Sequence, residues 1–123
     1  MKAVLVTGGR DYDRFLTVCR ELDDASPDDT NLDLLIHGGA SGADSLAARW
    51  AKTHNIPEAR FPADWSRHGK AAGPLRNTQM VRLAYSLEVA GWDVLVLAFP
   101  GGRGTASCIS IAEQHGLTVR RVD

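Results

Sequence analysis

The sequence predicts an α/β fold: one doubly wound, parallel sheet of five strands, in the order 3-2-1-4-5, with helices on both faces. Three observations predict it. Short apolar runs alternate with stretches of helical periodicity along the whole chain, which is the pattern of right-handed strand–helix–strand crossovers. Two glycine-bearing loops, His37-Gly38-Gly39-Ala40-Ser41-Gly42-Ala43-Asp44 and Pro100-Gly101-Gly102-Arg103-Gly104-Thr105, each join an apolar run to a helical stretch. Asp93 to Phe99 is apolar almost throughout, as suits a central strand covered on both faces. At 123 residues the chain reads as one domain, 1–123, able to bury roughly two-thirds of its unfolded surface.

The elements follow in order. Lys2 to Thr7 is strand one, rich in β-branched residues and stopped by Gly8-Gly9. Asp13 is placed to cap a first helix whose apolar stripe is Phe15, Val18, Cys19 and Leu22. Asp24 to Asn31 is a polar connection. Leu32 to His37 is strand two, and the second helix runs from about Ala43 to His54 with Leu46, Ala47, Trp50 and Ala51 on one face. Ile56 to Phe61 is a weaker strand three, followed by the longest irregular stretch, Pro62 to Pro74. The third helix turns Met80, Leu83, Ala84 and Leu87 inward and stops at Gly91. After strand four, the fourth helix carries Cys108, Ile109 and Ala112 and stops at His115-Gly116. Leu117 to Val122 is strand five.

Composition removes several function classes. A formal charge of -1 argues against a dedicated nucleic-acid binder, which carries a basic excess. No apolar run reaches the ~18 residues of a membrane helix, and the N-terminus enters a strand rather than a signal peptide. Cys19 and Cys108 have no ligand-like spacing, so neither a metal site nor a disulfide framework is expected, and a reducing cytoplasm fits. No cofactor is indicated.

In a parallel sheet, ligands bind outside the carboxyl ends of the strands, near the point where strand order reverses. Every unusual loop here follows a strand: Gly8 to Tyr12, Gly38 to Asp44, Pro62 to Arg76 and Pro100 to Thr105. All four are expected at one edge. A glycine turn leading into a helix presents unpaired N–H groups around a point where a phosphate can sit. The first reading of Gly101, Gly102, Gly104 and Thr105 is therefore a phosphate site, against a plain tight turn with an N-cap. Gly38, Gly39 and Gly42 would let the backbone approach the same ligand. Ser41 and Asp44 also fit a capping box.

The ordered segments Val6-Thr7-Gly8-Gly9-Arg10-Asp11-Tyr12, Ile36 to Asp44, Phe61-Pro62-Ala63-Asp64-Trp65, Gly73-Pro74-Leu75-Arg76-Asn77 and Phe99 to Thr105 resemble the SLOG superfamily, its small YspA-type (cpYpsA-related) branch in particular. More distantly they resemble LOG-type phosphoribohydrolases and the DNA-processing (Smf) proteins. The resemblance implies a Rossmann-like sheet, a nucleotide or nucleotide-derived ligand and often a homodimer, but for this branch no settled reaction. One departure matters. LOG-type hydrolases carry Pro-Gly-Gly-x-Gly-Thr-x-x-Glu, and this chain has Cys108 at the glutamate's place. Glycosidic cleavage normally needs a carboxylate there. The phosphate-binding half of the motif is present and its catalytic half is not.

Further candidates come from the loops. Arg76 can fork onto a phosphate, as the resemblance also implies, or be a solvated charge. Arg10 and Asp11 in the first loop could meet a ribose or a base, or form an Asx-turn. Trp65 could stack on a base or plug the core, and Asp64 is a spare carboxylate beside it. Trp50 and Trp92 read as packing residues, Cys108 as a small buried hydrophobe, and His37 as a satisfied buried histidine. The leading expectation is binding or sensing of a phosphorylated nucleotide through Gly8, Gly9, Arg10, Gly38, Gly39, Gly42, Trp65, Arg76, Gly101, Gly102, Gly104 and Thr105. The alternative is an N-glycosidase on nucleoside 5'-monophosphates whose carboxylate has moved to Asp11, Asp44 or Asp64. Single-stranded DNA handling ranks third.

Overall fold

The computed structural model describes residues 1–27 and 31–123. Five strands, β1 (Lys2–Thr7), β2 (Leu34–His37), β3 (Glu58–Arg60), β4 (Asp93–Ala98) and β5 (Thr118–Arg121), form one parallel sheet in the order β3-β2-β1-β4-β5. The register sets Val4 beside Leu35 and Leu95, and Thr7 beside Ala98. The expected order is the one observed.

Strand alternation divides the core into two. Val4, Val6, Leu35, Leu95 and Leu97 face one side and pack on α1 (Phe15–Ala25) and α2 (Ala43–Thr53) through Val18, Leu22, Ala47 and Trp50. Ala3, Leu5, Ile36, Val94 and Val96 face the other, against α4 (Ala72–Val89) and α5 (Arg103–Gln114) through Met80, Val81, Ala84, Cys108 and Ala112. Both faces of β1 and β4 are thus covered, which is why their sequences run apolar without alternation.

Strands two, four and five lose one or two residues at their ends relative to expectation, and three differences are larger. The first helix is capped at Arg14 with no side-chain bond, so Asp13 does not cap it. Strand three shortens to Glu58–Arg60, an edge strand paired on one side only. The stretch 62–74 is not irregular throughout: it holds α3 (Trp65–His68), a 3-10 turn (Gly69–Ala71) and the start of α4. Pro74 sits in the first turn of α4, where its missing N–H has no intrahelical partner to lose. Of the polar connection from Asp24 to Asn31, residues 28–30 lie outside the described residues. Among the described residues no helix is long and apolar enough to cross a membrane.

Order reverses between β1 and β4: the chain leaves β1 toward β2 and β3, then returns to the other side. The carboxyl edge beside this reversal is the natural place for a ligand.

Candidate functional site

The first, second and fourth strand-following loops meet at Gly9. Its N–H donates to the carbonyl of Pro100 at 2.9 Å, and its own carbonyl accepts the N–H of Ala43 at 3.1 Å. Gly42 makes this junction sterically possible. It has φ +74, and a Cβ there would strike the carbonyl oxygen of Gly9 and the backbone of Arg10. Gly42 and Gly101 are therefore packing positions within the junction. They do not line the cleft above it.

That cleft, about 600 Å³, opens between β1, α4 and α5. Of the residues singled out in the sequence, it brings together Gly8, Gly9, Arg10, Asp44, Trp65, Arg76, Gly102, Gly104 and Thr105. Gly38 and Gly39 border a smaller recess beside it, of about 210 Å³. Asp11 is exposed and outside both. Asp64 is occupied as the N-cap of α3, accepting from the N–H of Arg67 at 3.1 Å and from Ser66 Oγ at 2.9 Å.

The two glycine loops differ in what their N–H groups do. In the second loop, Asp44 Oδ2 accepts the N–H groups of Gly38 at 3.1 Å and Ala40 at 3.2 Å. The N–H of Gly39 donates to His37 Nδ1 at 3.0 Å. That bond leaves the ring's hydrogen on Nε2, which donates to Glu58 Oε1 at 2.8 Å, so the buried His37 is fully satisfied. The capping box is not formed: Gly42 caps α2 without a side-chain bond, and Ser41 Oγ donates to the carbonyl of Arg10. In the fourth loop the opposite holds. Gly102 caps α5 with no side-chain bond, and no partner among the described residues takes the N–H groups of Gly102, Arg103, Gly104 or Thr105. Four donors at the positive end of a three-turn helix thus belong to residues that border the cleft.

Asp44 is 6% exposed and still borders the cleft. Burial pushes its carboxyl above the ordinary value; the N–H of Ala40, the neighbouring His37 ring and Arg76 guanidinium, and the N–H of Gly38 oppose the rise. Arg76 is held in place: Nη1 donates to the carbonyl of Gly38 at 2.8 Å and Nε to Asn77 Oδ1 at 3.0 Å. Asn77, 3% exposed, donates through Nδ2 to the carbonyl of Gly104 at 3.1 Å. One amide thus fixes the arginine against the start of α5. In the sequence Asn77 stands out only as part of a motif; its place three residues before the inward-facing Met80 is the signal that marks it as buried.

Trp65 does not plug the core. It is 47% exposed, lies against Gly73 at the head of α4, and carries the Arg10 guanidinium 5.0 Å from its ring centroid. Cys108 is fully buried, and burial raises its thiol to about 11. It is a packing residue without acid–base capacity at neutral pH. Thr7, Met80 and Ser107 also border the cleft. The sequence marks Thr7 only as part of a motif and Met80 only as an inward-facing helix residue, since neither side chain carries a charge. Among the described residues no group of histidine, cysteine and carboxylate side chains could hold a metal.

Comparison with known proteins gives two findings. A family model described as YspA, cpYpsA-related SLOG family matches residues 2–68, from β1 through α3. The Gene 61 protein of Mycobacterium phage D29 is 41% identical over 126 residues, covering 97% of this chain and 94% of its own. The second match takes in the rest of the cleft, α4 and α5 included.

Proposed function

The chain belongs to the YspA, cpYpsA-related SLOG family, and from that membership and the chemistry of its cleft we propose that it binds a phosphorylated nucleotide or nucleotide-derived metabolite at the carboxyl edge of its sheet. The observation that carries this reading is the set of N–H groups from Gly102 to Thr105, which have no partner among the described residues and belong to residues lining a cleft that Arg76 also lines. A phosphate there gains several charge-assisted hydrogen bonds and the field of the helix. Trp65, half-exposed, offers a base the ring face opposite Arg10. Asp44 accepts from a sugar hydroxyl while its Oδ2 keeps the loop closed. A cleft of about 600 Å³ lies within the range that holds small ligands of this size.

Gly102→Asp tests the reading. A Cβ at Gly102 meets nothing within 4 Å, so the fold accommodates the change, and an aspartate at this N-cap favours the helix. The added carboxylate occupies the amide donors and repels a phosphate. Affinity for nucleoside monophosphates, measured by calorimetry, falls by more than about ten-fold, with the melting temperature retained. Unchanged affinity overturns the site.

One observation favours a catalytic version. Of the three candidate carboxylates Asp44 alone borders the cleft, and burial raises its proton affinity, as suits a general acid or base. An N-glycosidase built this way releases free base from a nucleoside 5'-monophosphate, and Asp44→Asn abolishes the release. Binding without release across a panel of monophosphates leaves the sensor reading.

A further inference from the structure

The charge lining the cleft exceeds what one phosphate can neutralise. Arg10, Lys70, Arg76 and Arg103 border it, against the single carboxylate of Asp44. Among the described residues, none of the four takes part in an ion pair. With the end of α5 contributing about half a charge, the excess is about three to four positive charges. A phosphate monoester supplies about two negative charges at neutral pH.

These cations are not gathered at one point. Lys70 and Arg103 border only the large cleft, whereas Arg10 and Arg76 also border the small recess. The two cavities share Arg10, Ala40, Trp65 and Arg76, so the arginines stand at the passage between them. Arg76 is held there by the carbonyl of Gly38, and Arg10 by the ring of Trp65. An anion at this passage is a different subsite from the one at the amides of α5.

Resting on the nucleotide reading above, the geometry points to a ligand with two linked phosphates, a nucleoside diphosphate. One phosphate occupies the α5 amides. The second lies between Arg10 and Arg76, and whatever group it bears extends into the recess. The second phosphate adds negative charge to the roughly two of a monoester and so comes closer to neutralising the cleft's excess.

Calorimetry on the full chain with the four common nucleoside monophosphates, the matching diphosphates, inorganic pyrophosphate and a short single-stranded DNA tests this. The expected result is a diphosphate bound at least ten-fold more tightly than its monophosphate. Arg10→Met reduces that ratio to about two-fold or less, with its melting curve checked alongside. Equal affinity for the two series overturns the second subsite while the nucleotide reading stands. Binding of neither series overturns both. Tightest binding of the oligonucleotide, weakening steeply with salt, overturns the diphosphate in favour of a polynucleotide backbone.

Discussion

Asp44 shows how one side chain can satisfy a local rule in the sequence and serve a longer-range purpose in the fold. Spaced three residues after Ser41, it reads as half of a capping box. In the folded protein its carboxylate turns back to the N–H groups of Gly38 and Ala40, buried at the cleft. Because burial raises its native proton affinity, its contribution to stability is complete at acid pH. That contribution is lost as pH rises through the raised native value. Asp44→Asn keeps an acceptor oxygen and cannot ionise. Urea unfolding at about pH 4 and about pH 7 will show the variant gaining on the wild type as pH rises. The opposite trend would mean that His37 and Arg76 outweigh desolvation. The cysteines give a second check. Cys108 is buried with its thiol raised to about 11, and Cys19 is partly exposed. Iodoacetamide will label Cys19 first and reach Cys108 only on unfolding; rapid native labelling of Cys108 would contradict its packing role.

Short elements were the least legible. Residues 62–74 read as a loop because Gly73-Pro74 breaks a helix in most settings, yet in the first turn of α4 neither residue breaks anything. The four-residue α3 is too short to show a period, and it depends on the Asp64 cap. Removing the cap by Asp64→Ala will cost the segment about 0.5–2 kcal/mol. Hydrogen exchange will rise from Trp65 to Ala71 with β1 and β4 unchanged. A cooperative loss across the whole sheet would mean that α3 belongs to the core. Long apolar elements were easy by comparison. Asp93 to Phe99 announced a central strand, and β4 pairs with both β1 and β5. Leu97, fully buried there, makes Leu97→Ala a loss of about 2–5 kcal/mol by chemical denaturation. A loss below about 1 kcal/mol would place the strand at an edge.

At the scale of the molecule, the order of elements was sufficient to place the candidate site. Once strands and helices alternate in a parallel sheet, all strand-following loops share an edge, and the reversal between β1 and β4 leaves the cleft there. What the order could not tell was which loop keeps its donors. That depends on Asp44 reaching back to Gly38, on Asn77 joining Arg76 to Gly104, and on Gly42 fitting under Gly9. Each is a contact between residues brought together only by the finished sheet. The central claim is that the fourth loop, not the second, receives the phosphate. A crystal structure with a bound nucleoside diphosphate tests it most directly. The account predicts phosphate oxygens about 2.7–3.2 Å from the amide nitrogens between Gly102 and Thr105. A phosphate seated instead on the loop from Gly38 to Ser41, with the α5 amides left to water, would contradict it.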